Sequence, residues 1–295
     1  MKQSQRITAA KDTLAIIEQG SYRNAGGNDI HVRREIDACV QGTRLYLPEE
    51  LDSFVAKLVA QPKPYGAMRC ELRNETSLHA ARRVAQDGAF ANPAVLNFAS
   101  ARNPGGGFLG GAQAQEESLA RSSALYASLT ACMPFYEFHR AEKSLLYSDR
   151  MIYSPRCPVF RTDNGALLDA AYTVSFITSA APNAGAIQRN RPFESEQIPA
   201  VFRTRTAKLL ALAVEQGCDA LILGAWGCGA FRNNPAVVAA VFKELLSPGA
   251  AFHGRFKFVL FAVYDTSEER QIYAEFARQL QPFCQQQGVE SDTGF

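Results

Sequence analysis

Three consecutive glycines, Gly105, Gly106 and Gly107, are followed after seven residues by Gln115, Glu116 and Glu117. Glycine backbone reaches positive φ and lets a ligand approach its N–H groups, so such a run can cradle an anion such as a diphosphate. Paired carboxyls can divide the work of breaking a bond. One orients the ligand, while the other, its pKa raised by burial and by its acidic neighbour, protonates a leaving oxygen and then acts as base toward water. The glycine run lacks the Gly-Lys-Ser/Thr ending of a P-loop and the spacing of a dinucleotide fingerprint. Two glutamates in the first turn of a helix also complement the helix dipole, which is a purely structural use for them. Consecutive helical residues point about 100° apart, so both can face one ligand only at an irregular helix entrance.

These residues must be held by a strand, a loop and a helix. The apolar run at 95–99 reads as the strand that delivers the glycine loop, and 116–131 as the helix that carries the glutamates. Further strands are expected at 68–72, 151–153, 172–178, 219–223 and 256–263, alternating with helices at 76–87, 196–216, 234–246 and 267–279. This alternation implies a mixed sheet with helices on its faces. The segment 153–171, with two prolines and an Asp-Asn-Gly turn, reads as a hairpin or lobe inserted in the sheet. Ahead of the sheet, a helix from Ser4 to about Gln19 with Gly20 as C-cap and another from Pro48 to about Val59 form an N-terminal elaboration ending at Pro62 and Pro64. The expected division is an N-terminal helical extension at 1–64, an α/β catalytic domain at 65–283 and a tail at 284–295.

A second glycine-rich stretch, Gly224 to Asn233, follows the strand at 219–223 and leads to Pro235 at the start of a helix. Its N–H groups, near a helix N-terminus, suit an anion. Trp226 and Phe231 within it serve equally well as core or lid aromatics, and Cys228 reads as a small residue in a tight loop, since no His lies nearby in sequence. Asn97, Ser100 and Asn103 each fit either a sugar contact or the fixing of a turn. Thr76 reads as a helix cap. Arg189, Arg191, Arg203 and Arg205 are either phosphate contacts or solvated surface charges.

The charge balance, 31 Lys+Arg against 29 Asp+Glu, argues against a dedicated duplex-DNA or membrane-surface binder. No apolar window reaches the length that crosses a bilayer, and the first residues lack the apolar core of a secretory signal. Seven scattered cysteines without a C-x-x-C pair, and four isolated histidines, point to reduced thiols in the cytoplasm and to no metal site. No sequence-specific nucleic-acid partner and no membrane partner are expected.

The combined motif, with Asn97-Phe-Ala-Ser-Ala-Arg-Asn-Pro-Gly-Gly-Gly-Phe before Gln115-Glu116-Glu117, resembles the signature of microbial-type poly(ADP-ribose) glycohydrolases, and the resemblance extends over most of the chain. It implies a macrodomain-like three-layer α/β/α fold with a mixed central sheet, binding ADP-ribose across the strand ends. By the same resemblance Glu117 is the acid/base at the ribose–ribose glycosidic oxygen, Glu116 holds the adjacent ribose hydroxyls, and Gln115 supports the ligand. Gly105, Gly106 and Gly107 then contact the diphosphate and distal ribose. Gly227, Cys228, Gly229, Ala230 and Phe231 form a second phosphate loop, with Phe231 on a ribose or on adenine. Asn97, Ser100 or Asn103 contacts the distal ribose.

The implied activity is hydrolysis of poly(ADP-ribose), exo-acting, releasing ADP-ribose without metal or cofactor. Two other readings share these loops: a non-catalytic reader of ADP-ribose, which needs both phosphate loops but not Glu117, and a hydrolase of single ADP-ribose marks on macromolecules. Adenine recognition stays unassigned.

Overall fold

The computed structural model describes residues 1–58 and 61–285. Helix α1 (Gln3–Gln19) leads into a small hairpin, β1 (Ser21–Arg23) and β2 (Asp29–His31), then α2 (Arg33–Gly42), β3 (Arg44–Tyr46) and α3 (Pro48–Leu58). The sheet proper continues with β4 (Arg69–Arg73), α4 (Ser77–Gln86) and β5 (Pro93–Phe98), and three short helices follow: α5 (Gln115–Ser122), α6 (Leu125–Thr130) and α7 (Met133–Ala141). Next come β6 (Met151–Arg161), β7 (Leu167–Ser179), α8 (Ala184–Asn190), α9 (Ile198–Glu215), β8 (Ala220–Leu223), α10 (Pro235–Leu246), β9 (Phe258–Ala262) and α11 (Gln271–Gln285).

Seven strands form one sheet in the order β3-β6-β7-β5-β8-β9-β4. Pairing is antiparallel from β3 to β7 and parallel from β7 through β5, β8 and β9 to β4. The carboxyl ends of β7, β5, β8, β9 and β4 therefore open on one edge, where ligands of open α/β sheets bind. Strands in the middle of such a sheet are covered on both faces, and Pro93 to Asn97 of β5 and all of β8 and β9 are accordingly buried. One apolar core lies between the sheet and α3, α9, α10 and α11. A second lies between the sheet and α2, α4, α5, α6 and α7. This is a three-layer α/β/α arrangement with a mixed sheet.

Residues 1–58 supply more than helices. They add β3 to the edge of the main sheet, α3 packs on α9, and α1 packs on α5 and on the turn Phe108–Gly110. Of the expected tail, residues 286–295 lie outside the described residues, as does Val59 at the end of the second expected helix; Cys284 lies in α11.

The expected helix at 116–131 is two helices. Ser123 is extended, pairs with Val159 of β6, and Ala124 donates its N–H to Pro158 O at 3.0 Å, so the hairpin captures backbone that would otherwise continue α5. Of the two readings for 153–171, the structure shows the hairpin and not a separate lobe: the segment is the body of β6 and β7, joined through Thr162–Ala166. Pro155 falls where the register shifts between Ser154 and Cys157, a position that tolerates its missing donor. Thr76 caps α4 by accepting from His79 N at 3.1 Å. Among the described residues no helix is long and apolar enough to cross a membrane.

Candidate active site

The strand ends enclose a cavity of about 510 Å³. Its charged lining residues are Glu116, Glu117 and Asp163, so an anionic ligand here must be held by backbone dipoles rather than by cations.

Gln115 opens α5 and ties it to its surroundings. Its Oε1 accepts from Phe98 N at 2.9 Å, while its Nε2 donates to Leu96 O at 2.7 Å and Ser77 Oγ at 3.1 Å. The amide thus locks the start of α5 to the end of β5 and the start of α4. The next two side chains differ in exposure. Glu116 is buried: Oε2 accepts from Ser100 N at 2.6 Å and Oε1 from Asn97 Nδ2 at 3.3 Å. Glu117 is half-buried, with Oε1 accepting from Gly107 N at 3.0 Å and Oε2 without a hydrogen-bond partner among the described residues. Gly106, at φ +59°, is wedged against both. A Cβ on it would collide with the Glu117 carboxylate and lie 3.2 Å from Glu116 Oε2. The folded-back glycine loop, rather than the helix alone, brings two consecutive carboxylates to one place.

Burial pushes the Glu116 carboxyl up to about 8, and the Glu117 charge adds to this against the opposing donors Ser100 N, Asn97 Nδ2 and Gly105 N. Burial also raises Asp163, which accepts from Thr76 Oγ1 at 2.6 Å.

The first loop turns its N–H groups inward. Gly106 N donates to Asn103 O at 3.0 Å and Gly107 N to Glu117, so these two are occupied before any ligand arrives. The second loop is the opposite case. Gly227, Gly229, Ala230 and Phe231 line the cavity, and among the described residues none of their N–H groups has an acceptor. Such a row of free N–H groups is an anion-binding concavity. Gly227, at φ +73°, sits where a Cβ would lie 2.6 Å from both Ala181 Cβ and Asn233 Nδ2, which ties the loop to the segment after β7. Phe231 packs on Tyr147 with ring centroids 6.2 Å apart. Arg205, buried in α9, holds the segment carrying Tyr147 through Asp149 Oδ1 at 2.9 Å and the carbonyls of Leu146 and Tyr147.

The other residues singled out from sequence separate into wall and frame. Ser100 lines the cavity; its Oγ also accepts from Asn103 N at 3.2 Å. Asn97 is buried behind Glu116 and bridges it to Thr178 Oγ1 at 3.1 Å. Asn103 is exposed and fixes the turn. Cys228 is buried, its thiol pushed up to about 12, and does not line the cavity. Trp226 is a core side chain, fully buried at the cavity floor, with Nε1 donating to Ser179 O at 3.1 Å. Arg191 pairs with Glu194, Arg203 with Glu244 and Arg205 with Asp149, and neither these nor Arg189 lines the cavity. Among the described residues no group of three or more His, Cys, Asp and Glu side chains could hold a metal.

Sequence reasoning assigned no site role to Tyr264, Ile272 or Asp163, which line the cavity. Tyr264 is 63% exposed at the mouth, directly beyond the end of β9, where the rule that ligands bind at strand ends would have found it. Asp163 arrives from the tip of the β6–β7 hairpin, and no local pattern announces that.

A family model described as microbial-type PARG, catalytic domain, matches residues 10–162. Among solved structures, the chain is similar to the poly(ADP-ribose) glycohydrolase from Thermomonospora curvata, with 48% identity, a TM-score of 0.90, and coverage of 95% of this chain and 100% of that one. The same enzyme bound to the inhibitor ADP-HPD matches at 47% identity and a TM-score of 0.87, again covering 95% and 100%. The poly(ADP-ribose) glycohydrolase from Deinococcus radiodurans in complex with ADP-ribose matches at 45% identity and a TM-score of 0.80, covering 84% of this chain and 98% of that one. No curated protein matches the chain.

Proposed function

The chain belongs to the microbial-type poly(ADP-ribose) glycohydrolases, and from that premise we propose that its cleft cuts the ribose–ribose O-glycosidic bond at the chain terminus and releases ADP-ribose. The observation that carries the site assignment is the pairing, in one cavity, of a row of free N–H groups with two carboxylates of unequal environment.

The diphosphate lies on the N–H groups of Gly227, Gly229, Ala230 and Phe231, which offer dipoles without cationic side chains. Phe231 and Tyr264 supply flat apolar surface for the sugar and base. Glu116, fixed by Ser100 and Asn97, receives the ribose hydroxyls beside the scissile bond. Glu117 has an oxygen free of internal partners, so it can give a proton to the leaving 2′-oxygen and take one from water afterwards. The positive charge that develops on the ribose ring is stabilised by Glu117, which is left as a carboxylate once it has given up its proton. Gln115 and Asn97 act on the ligand indirectly, by holding α5 and Glu116. The buried, unpaired thiols support a cytoplasmic setting.

Incubation of the protein with poly(ADP-ribose), with and without chelator, and chromatography of the products test this reading. Free ADP-ribose as the early product is expected; early release of oligomers would reject terminal action. Binding of ADP-ribose without any release would favour a reader, and release only from singly modified protein would favour a hydrolase of single marks.

The phosphate loop gives a separate prediction. A Cβ on Gly229 meets no atom within 4 Å, and its φ lies outside the left-handed range. Gly229→Val should therefore keep the melting temperature within about 1–2 °C, since surface changes of this kind usually cost under ~0.5 kcal/mol. The new side chain stands where the ligand must approach the free N–H groups, so the ADP-ribose Kd should rise roughly 10- to 100-fold, the worth of a hydrogen bond to a charged group. Unchanged affinity by calorimetry would remove the diphosphate from this loop.

A further inference from the structure

Glycine-rich backbone is conformationally permissive, yet Gly107 N must stay 3.0 Å from Glu117 Oε1 for the carboxylate to be aimed. The restraint lies at the exit of the loop, on three consecutive carbonyls. Gly110 O accepts from Gln3 Nε2 at 3.0 Å, Gly111 O from Arg6 Nε at 2.7 Å, and Ala112 O from Arg121 Nη1 at 2.8 Å. Gly111 is itself left-handed, at φ +74°, and packs on Gln3 and Ile7 of α1. Ala112 N closes the loop on Gly107 O at 3.2 Å, so the clamped exit is joined directly to the residue that bonds Glu117.

Arg121 stands one helical turn after Glu117 on α5 and is 4% exposed. Among the described residues it forms no ion pair. Its remaining Nη2 donates to Gln113 Oε1 at 2.5 Å and Ser118 Oγ at 3.2 Å, and its backbone carbonyl accepts from Thr13 Oγ1 of α1 at 2.5 Å. A buried guanidinium is costly unless its donors are satisfied. Here Nη1 and Nη2 are spent on Ala112 and Gln113, between the glycine loop and the glutamates, and on Ser118 just after them, which is a reason to keep the charge there. Arg6, half-buried, places a second guanidinium beside it and also donates to Met1 O at 2.7 Å.

We infer that Arg6 and Arg121 are positioning residues for the hydrolysis, a two-arginine clamp on the carbonyls of Gly111 and Ala112 that holds the glycine loop against Glu117. Helix α1 thereby becomes part of the catalytic apparatus. The inference rests on the reading of Glu117 as the acid/base.

The test compares Arg6→Met, Arg6→Lys, Arg121→Met and Arg121→Lys in the full chain, with Glu117→Gln alongside. It measures kcat and KM for ADP-ribose release from poly(ADP-ribose), and the Kd of ADP-ribose. A misplacement of the acid/base by about 1 Å can cost about 100-fold in rate, and a smaller one correspondingly less. Arg6→Met is therefore expected to lower kcat about 10-fold and Arg121→Met about 100-fold, with KM and Kd within roughly threefold of the parent. Each Lys variant, which keeps a donor for the carbonyl, recovers part of the loss. If Arg121→Met does not fold, the Arg6 pair carries the test, because Arg6 lies near the surface. An unchanged kcat in Arg6→Met beside a collapsed Glu117→Gln would overturn the clamp, as would equal losses in kcat and affinity. Full turnover by Glu117→Gln would overturn the acid/base assignment itself and the clamp with it.

Discussion

Glu117→Gln is expected to release ADP-ribose from poly(ADP-ribose) about a thousandfold more slowly than the parent, while binding ADP-ribose within roughly threefold of it. General acid–base catalysis by a positioned side chain contributes ~10²- to 10⁴-fold. The substitution removes that contribution with little else, because a glutamine Oε1 can still accept from Gly107 N, now 3.0 Å from Glu117 Oε1. The glycine loop keeps its support, and the free N–H groups of the second loop are untouched. The loss should therefore fall on kcat, the pattern of an interaction needed in the transition state and not in the ground state. Glu116→Gln should behave differently, since that residue is placed to hold sugar hydroxyls. Turnover falls, and affinity for ADP-ribose falls with it. If Glu116→Gln lost only kcat while Glu117→Gln retained turnover, the two roles would be exchanged. Burial would then have been the better guide, because it makes Glu116 the proton holder in the ligand-free protein.

The motif that carries the chemistry was legible because it is local. Strand β5, the glycine loop and the first turn of α5 lie within 93–118, so residue type, spacing and helix-start chemistry all act over a short stretch. The same holds for β8, the second loop and α10, where Asn234 caps Ala236 N at 2.9 Å and Pro235 opens the helix. What was not legible depends on where backbone donors point. Both glycine loops suggest phosphate binding, yet in the first the N–H groups of Gly106 and Gly107 are taken internally, and in the second four are free. Composition does not distinguish these cases. The break at Ser123 and the arrival of Asp163 share one cause. A long hairpin pairs with distant backbone, and tertiary pairing overrides the helical pattern of 116–131. Strands β1, β2 and β3 are three residues each, too short for alternation to show.

The second large effect concerns pH and follows from the burial of Glu116. Its folded-state value of about 8 stands above the ordinary 4.5. A raised value of this kind stabilises the fold fully below the unfolded pKa, and the contribution is lost progressively as pH rises through the folded one. The window is thus pH 4.5 to 8. Each unit is worth about 1.4 kcal/mol, so the loss across the window is on the order of 5 kcal/mol. Glu116→Gln does not titrate. Relative to the parent, its melting temperature should rise steadily between pH 5 and pH 8, by roughly 7 °C in total for a chain of this size. A pH-independent difference between the two proteins would show that Glu116 ionises normally in the folded state.

The same proton bears on binding. Among the described residues the cavity presents three carboxyls and no lining cation to a diphosphate, so a neutral Glu116 removes one negative charge from the site the ligand must enter. The parent should therefore lose ADP-ribose affinity above about pH 8, while Glu116→Gln, weaker at neutral pH, shows no such alkaline loss. The proton that costs the fold stability as pH rises is then the one that lets a polyanion into an acidic cleft.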